Sequence, residues 1–263
     1  MKAAYVGIDL FYPALPALAR AGCEIMKIFT CQTDNVTEFN LRVCAYARDR
    51  AIPLQTDRVR PEDLAALRQA GCELLLCAGY YYRLPVEDGF PMVNIHPAWL
   101  PIGRGAWPMA VTILRGLNRS GVTFHKITSE LDQGDILLRR SLDVAPDETL
   151  LSLTEKQCAL LPSMVEQLCA RLDRLWAEAI PQGPGEYWPC PTQKDWTVTP
   201  DMTVEEADRV LRAFYGYEVI LRRPEGDWEL IEAVLAEGPR PEYYAFPFRE
   251  KTICARRARR LST

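Results

Sequence analysis

The chain has 263 residues, is 48% hydrophobic and 25% charged, and carries a net charge of −4 with a pI near 5.4. That length holds one large domain, or one domain with a small appendage. The acidic balance gives no general pull toward nucleic acid. No apolar run approaches the roughly 18 residues of a membrane span, and no signal-peptide pattern opens the chain. A cytoplasmic protein with no membrane partner is expected. Nine cysteines scatter from Cys23 to Cys254 without a CxxC pair. Several sit in apolar context, such as Cys77 in ELLLCAG, and read as buried free thiols in a reduced protein.

In chain order, KAAYVGI predicts a first strand and LFYPALPALARAG a helix closed by Gly22. EIMKIFT is a second strand, LRVCAYARDRA a helix, and IPLQ a short extended piece. PEDLAALRQAG is a helix with proline at its start and Gly71 at its end. CELLLCAG is a continuous apolar run, as expected of a strand buried on both faces. Strands alternating with helices predict an α/β fold with a Rossmann-like, mostly parallel sheet flanked by helices. No GxGxxG is present, so no dinucleotide is claimed. The segment from Asp147 to Ala177 reads as one long helix packing back on the sheet.

Residues 181–200, rich in Pro and Gly, read as a linker or strapped-down loop. Beyond it, TVEEADRVLRAFYG predicts a helix opened by Thr203, followed by four short strands. The expected domains are therefore 1–180, a linker 181–200, and a small C-terminal α+β module 201–263, OB-like or reduced. From Asp201 onward there are 12 Asp/Glu and 11 Lys/Arg, so no basic face is expected there. The terminal ARRARR reads as a solvated basic tail.

The chemistry is expected between Asn94 and Asp135, which holds both histidines, His96 and His125. Alternation along MVNIH points Asn94 and His96 to the same side of a strand. Asp132 follows in the turn LDQGD, after the alternating run GVTFHKI. An amide suits an oxyanion, an imidazole moves protons near neutral pH, and a nearby carboxylate raises the imidazole pKa. Together they make an acyl-transfer site. His125, inside its strand, reads as structural. No metal is expected, because no ligand pair has helical or turn spacing.

The steps Asn94, His96, Pro97, then Leu100, Pro101, then Arg104, Gly105, and downstream Leu131, Asp132, Gly134 resemble the formyltransferase family that uses 10-formyltetrahydrofolate. The resemblance covers roughly residues 1–177. It implies that His96 donates a proton, Asn94 stabilises the transition state and Asp132 tunes the histidine. The segment AGCEIMKIFTCQTDN and the Tyr81-Tyr82-Arg83 step are similar to the amino-sugar branch. By that similarity Leu84, Pro85 and Val86 are expected to touch the folate, as are Thr128, Ser129, Glu130, Leu131 and Asp132. Two departures stand out: Ala98-Trp99 where the family often has Ser-Leu, and Ala106-Trp107 where the amino-sugar relative has Arg after Arg-Gly. Both bear on the acceptor side.

The resemblance implies transfer of a formyl group from 10-formyltetrahydrofolate to the amine of an amino sugar, nucleotide-linked in the branch this chain resembles. The alternatives are a methionyl-tRNA formyltransferase, which needs a basic, salt-sensitive face, and a hydrolytic or folate-binding relative. A nucleic-acid partner is not expected. Dimerisation, as a homodimer, acceptor binding and stability are all open as roles for the C-terminal module.

Overall fold

The computed structural model describes residues 1–261 and forms two compact units. The first comprises residues 1–105, 121–142 and 156–187, and the second 106–120, 143–155 and 188–263. The expected boundaries were contiguous in sequence, whereas the second unit also takes in two stretches from the middle of the chain.

The first unit opens with β1 (Lys2–Gly7), a 3-10 turn at Asp9–Phe11, α1 (Ala14–Arg20) and β2 (Glu24–Phe29). Gly22, at φ +81°, ends α1 in the left-handed region that favours glycine. Next come α2 (Leu41–Asp49), β3 (Leu54–Gln55), α3 (Pro61–Gln69) and β4 (Leu74–Ala78). Pro61 starts α3, where a missing N–H costs nothing, and the Asp63 carboxylate accepts from the Arg60 N–H at 3.0 Å. All five residues of β4 are buried, as its unbroken apolar run predicts.

Then follow β5 (Met92–His96), β6 (Ile102–Arg104), α4 (Pro108–Leu114), β7 (Arg119–Lys126) and β8 (Ile136–Asp143). The main sheet has the order β3-β2-β1-β4-β5-β7-β8. Pairings from β3 to β5 are parallel, and β5 meets β7 antiparallel. The expected α/β, mostly parallel architecture is the one observed.

The helix expected over 147–177 is two: α5 (Leu150–Ala170) and α6 (Leu172–Ala177). The backbone leaves the helical region at Arg171, with φ −138°, so the periodic apolar pattern continues across a break it does not reveal. Pro162 lies inside α5 without ending it. The Pro/Gly-rich segment that follows is held by pairing: β9 (Glu186–Tyr187) lies parallel to β6.

In the second unit, β10 (Thr197–Val198) precedes α7 (Val204–Ala213). Thr203 caps α7: its hydroxyl accepts from the Glu206 N–H at 3.1 Å, and Glu206 accepts from the Thr203 N–H at 2.8 Å. The strands β11 (Glu218–Leu221), β12 (Trp228–Ala236), β13 (Tyr244–Phe248) and β14 (Lys251–Arg260) complete a sheet of order β10-β11-β12-β14-β13. The terminal ARRARR is therefore not a solvated tail. Residues 255–260 belong to β14, with Arg257, Ala258, Arg259 and Arg260 paired to β12 and Ala255 paired on both sides. Charge dominates that stretch in composition, yet its four arginines stay exposed on the two faces of the strand while its backbone pairs within the sheet. Ser262 and Thr263 lie outside the described residues.

Candidate active site

β5 carries Asn94 and His96, and the antiparallel register sets Asn94 opposite His125 and His96 opposite Thr123. Because β7 runs against β5, its end at Lys126 lies beside Val93, and the following loop returns to bring Asp132 to His96. Asp132 sits at φ +53°, a left-handed conformation that aspartate tolerates better than most residues. Two residues on, Gly134 is packed so closely that an added Cβ would lie 1.9 Å from the Lys126 carbonyl oxygen.

These elements converge on one buried polar cluster. His96 Nδ1 lies 3.5 Å from Asp132 Oδ1, and His125 Nε2 lies 3.6 Å from the same oxygen. His96, His125 and Asp132 are only 4%, 3% and 7% exposed, so each needs its partners inside the protein. The Gly105 N–H donates to Asp132 Oδ2 at 3.0 Å, His96 Nε2 donates to the Gly103 carbonyl at 2.7 Å, and Asn94 Nδ2 contacts His125 Nε2 at 3.1 Å. Asn94, His96 and Asp132 are thus gathered as expected. His125, read from its strand position as structural, belongs to the same cluster; only the cross-strand register reveals this.

Electrostatics corrects a second expectation. Burial pushes the His96 imidazole below its ordinary value and outweighs the Asp132 carboxylate, which pulls it up. A neighbouring carboxylate raises a histidine only where desolvation does not outweigh it. For Asp132, burial pushes the carboxyl up, but the His125 and His96 rings and the Gly105 N–H together hold it below the usual range. The cluster therefore favours a charged Asp132 beside a neutral His96.

The loop from 97 to 105 is pinned by buried side chains of this unit. Thr123 Oγ1 donates to the Ala98 carbonyl at 2.7 Å and accepts from the Leu100 N–H at 3.2 Å. Gln157 Nε2 donates to the Pro97 and Gly121 carbonyls. Arg104 holds Gln182 Oε1 with two N–H groups, and Gln182 Nε2 donates to the carbonyls of Asp132 and Gly134 at 2.9 and 2.7 Å. Gln182 was unforeseen: it lies in the stretch read as linker, and nothing local marks it. Of the two departures, Trp99 is 37% exposed with Arg139 stacked over its ring, whereas Trp107 packs edge-on against Phe214 and Tyr217 within the second unit.

The segments expected to meet a folate follow β4 and β7. Leu84 is buried in a cluster with Phe90 and Met92, against which Ile127 packs, so both segments share one apolar footing. Pro85 is half-buried and Val86 exposed, and Thr128, Ser129, Glu130 and Leu131 are exposed. Donor atoms of His96, His125 and Asp132 lie within 4.8 Å of one another. Every ring nitrogen among them already faces a protein partner, with His125 Nδ1 donating to the Lys126 carbonyl at 2.8 Å.

The family model for formyl transferases matches residues 32–164. A methionyl-tRNA formyltransferase from Solibacter usitatus is 32% identical over 186 residues, 66% of this chain. The chain spans 59% of that relative's length. Among solved structures, HypX from Aquifex aeolicus in complex with tetrahydrofolic acid matches with a TM-score of 0.72 at 14% identity, covering 100% of this chain and 44% of that one. An N-formyltransferase from Helicobacter canadensis, in complex with folinic acid and dTDP-3-aminofucose, matches with a TM-score of 0.66 at 16% identity, covering 97% and 98%. At these identities the likeness to the solved structures is one of fold.

Proposed function

The chain belongs to the formyl transferase family, and we propose that it moves a formyl group from 10-formyltetrahydrofolate to the amine of a nucleotide-linked amino sugar. The observation that carries formyl transfer is the buried His96–Asp132 contact, with half-buried Asn94 two residues before His96 on β5, all inside the matched segment. Attack of an amine on the formyl carbon makes a tetrahedral oxyanion, and N10 must then leave with a proton. Asn94 supplies an amide N–H toward the oxyanion, a contact worth about 3 kcal/mol of barrier where such donors are removed. His96 starts neutral, with Nε2–H committed to Gly103, so Nδ1 is the nitrogen left to take a proton. It takes that proton from the attacking amine and passes it to N10, with Asp132 steadying the imidazolium between the two transfers. Leu84, Pro85, Val86 and the run Thr128–Asp132 border the folate in this reading, their backbone groups reading its polar edge.

The acceptor assignment rests on the acidic balance of the chain and on the likeness to the Helicobacter canadensis N-formyltransferase, whose structure is a complex with dTDP-3-aminofucose. A second reading, methionyl-tRNA as acceptor, is favoured by the Solibacter usitatus relative. Incubation with 10-formyltetrahydrofolate and a panel of nucleotide-linked amino sugars, with mass spectrometry for the added formyl group, tests the first. Formylation of charged tRNA alone, falling steeply with salt, would replace it with the second. Formate release that ignores every amine would leave a hydrolase.

A further inference from the structure

The polar cluster contains one histidine that the proposed proton transfers do not use. His125 is 3% exposed, and its ring is held at both nitrogens: Nδ1 lies 2.8 Å from the Lys126 carbonyl and Nε2 lies 3.1 Å from Asn94 Nδ2. A carbonyl only accepts, so the proton of this ring belongs on Nδ1. A ring carrying only that proton presents a lone pair at Nε2, and the group that meets it must donate. Asn94 therefore turns its NH₂ group, not its oxygen, toward His125. Asp132 Oδ1 lies 3.6 Å from the same nitrogen and would draw a proton toward it, but that separation is beyond hydrogen-bond length and the two shorter contacts of the ring outweigh it.

We infer that His125 is a positioning residue that fixes the Asn94 amide, consuming one of its N–H bonds and aiming the other. An asparagine amide flips with little change of shape, and the flipped form would present an oxygen where the oxyanion needs a donor. A histidine whose tautomer is fixed by its own backbone neighbour selects one of those two forms. The Lys126 carbonyl is the outer end of this relay, and the antiparallel register of β5 and β7 places its members in line. This inference rests on the proposed formyl transfer for its consequence, but the tautomer and the amide orientation stand apart from any activity.

The test has two arms. Ring ¹⁵N NMR of the intact protein should show His125 protonated at Nδ1 with Nε2 accepting, and Asn94→Ala should shift the Nε2 signal. A proton on Nε2 overturns the inference whether or not the protein turns over any substrate. In kinetics, His125→Ala should lower kcat about tenfold with little change in KM for the folate, while His125→Gln, whose amide oxygen also accepts, should recover most of it. In an Asn94→Ala background, His125→Ala should cost less than about twofold, because its route of action is gone. An equal loss in both backgrounds overturns it. Wild-type protein inert toward every amine would count against formyl transfer and leave the NMR arm to decide the rest.

Discussion

At the scale of single residues, the cluster divides its labour. Asn94→Ala removes an oxyanion donor and leaves the proton path, so kcat should fall about 10²- to 10³-fold with folate binding nearly intact. His96→Ala should fall at least as far. Asp132→Asn keeps the shape but removes the charge that pulls the His96 pKa up, so the histidine limb of the pH–rate profile should move toward acid. A limb that stays put, or moves toward alkaline pH, would place the tuning elsewhere. Stability carries the same signature. Burial holds the folded His96 below its unfolded value of about 6.5, so the unfolded chain gains that proton first as pH falls. Its contribution is present above that value and is lost as pH drops toward the folded pKa. Asp132, depressed when folded, contributes above about 3.9 and loses it as pH falls through its lowered value. Denaturant titrations between pH 8 and 5 should show wild type losing stability through this interval more steeply than His96→Gln.

At the scale of elements, the turn that presents Asp132 depends on two residues outside the cluster. Gly134→Ala would drive a Cβ into the Lys126 carbonyl, and neither backbone can yield cheaply. A loss of about 1–3 kcal/mol is expected, read as a lowered thermal midpoint together with reduced turnover. Gln182→Ala leaves the carbonyls of Asp132 and Gly134 without their donor and frees Arg104 from its amide partner. Turnover should fall more than stability does, since the turn would still form but no longer be held in place. Equal wild-type and variant kcat would show that the turn is rigid without this strap.

At the scale of the whole molecule, the C-terminal strand decides what can be removed. Truncation before Ala255 deletes the part of β14 that pairs with Trp228, Glu229, Leu230, Ile231 and Ala233 of β12. It should unfold the second unit, seen as lost strand signal in far-UV circular dichroism, where a tail would have been dispensable. Point replacements of Arg256 and Arg257 by Gln retain the strand and test charge separately. Acceptor turnover that survives them with little salt dependence fits a small anionic substrate, and a steep salt-dependent loss fits a tRNA. Among the described residues no helix is long and apolar enough to cross a membrane.

Local pattern was enough for the strands and helices of the α/β core, for the glycine that ends α1 and for the capping box of α7, because these depend on neighbours within a turn or a strand. The pairing of Asn94 with His96 on one strand was legible for the same reason, and Asp132 was legible through the ordered set of motif residues. Tertiary structure decided the rest. His125 joins the cluster through a cross-strand register that joins positions 31 residues apart, and Gln182 reaches its carbonyls from 50 and 48 residues away. The direction of the His96 pKa shift turned on burial, which no spacing of charged residues encodes. The basic terminus became a strand because β12 offered an edge for its backbone to pair with, and backbone pairing is indifferent to the side-chain charges that made the stretch look like a tail.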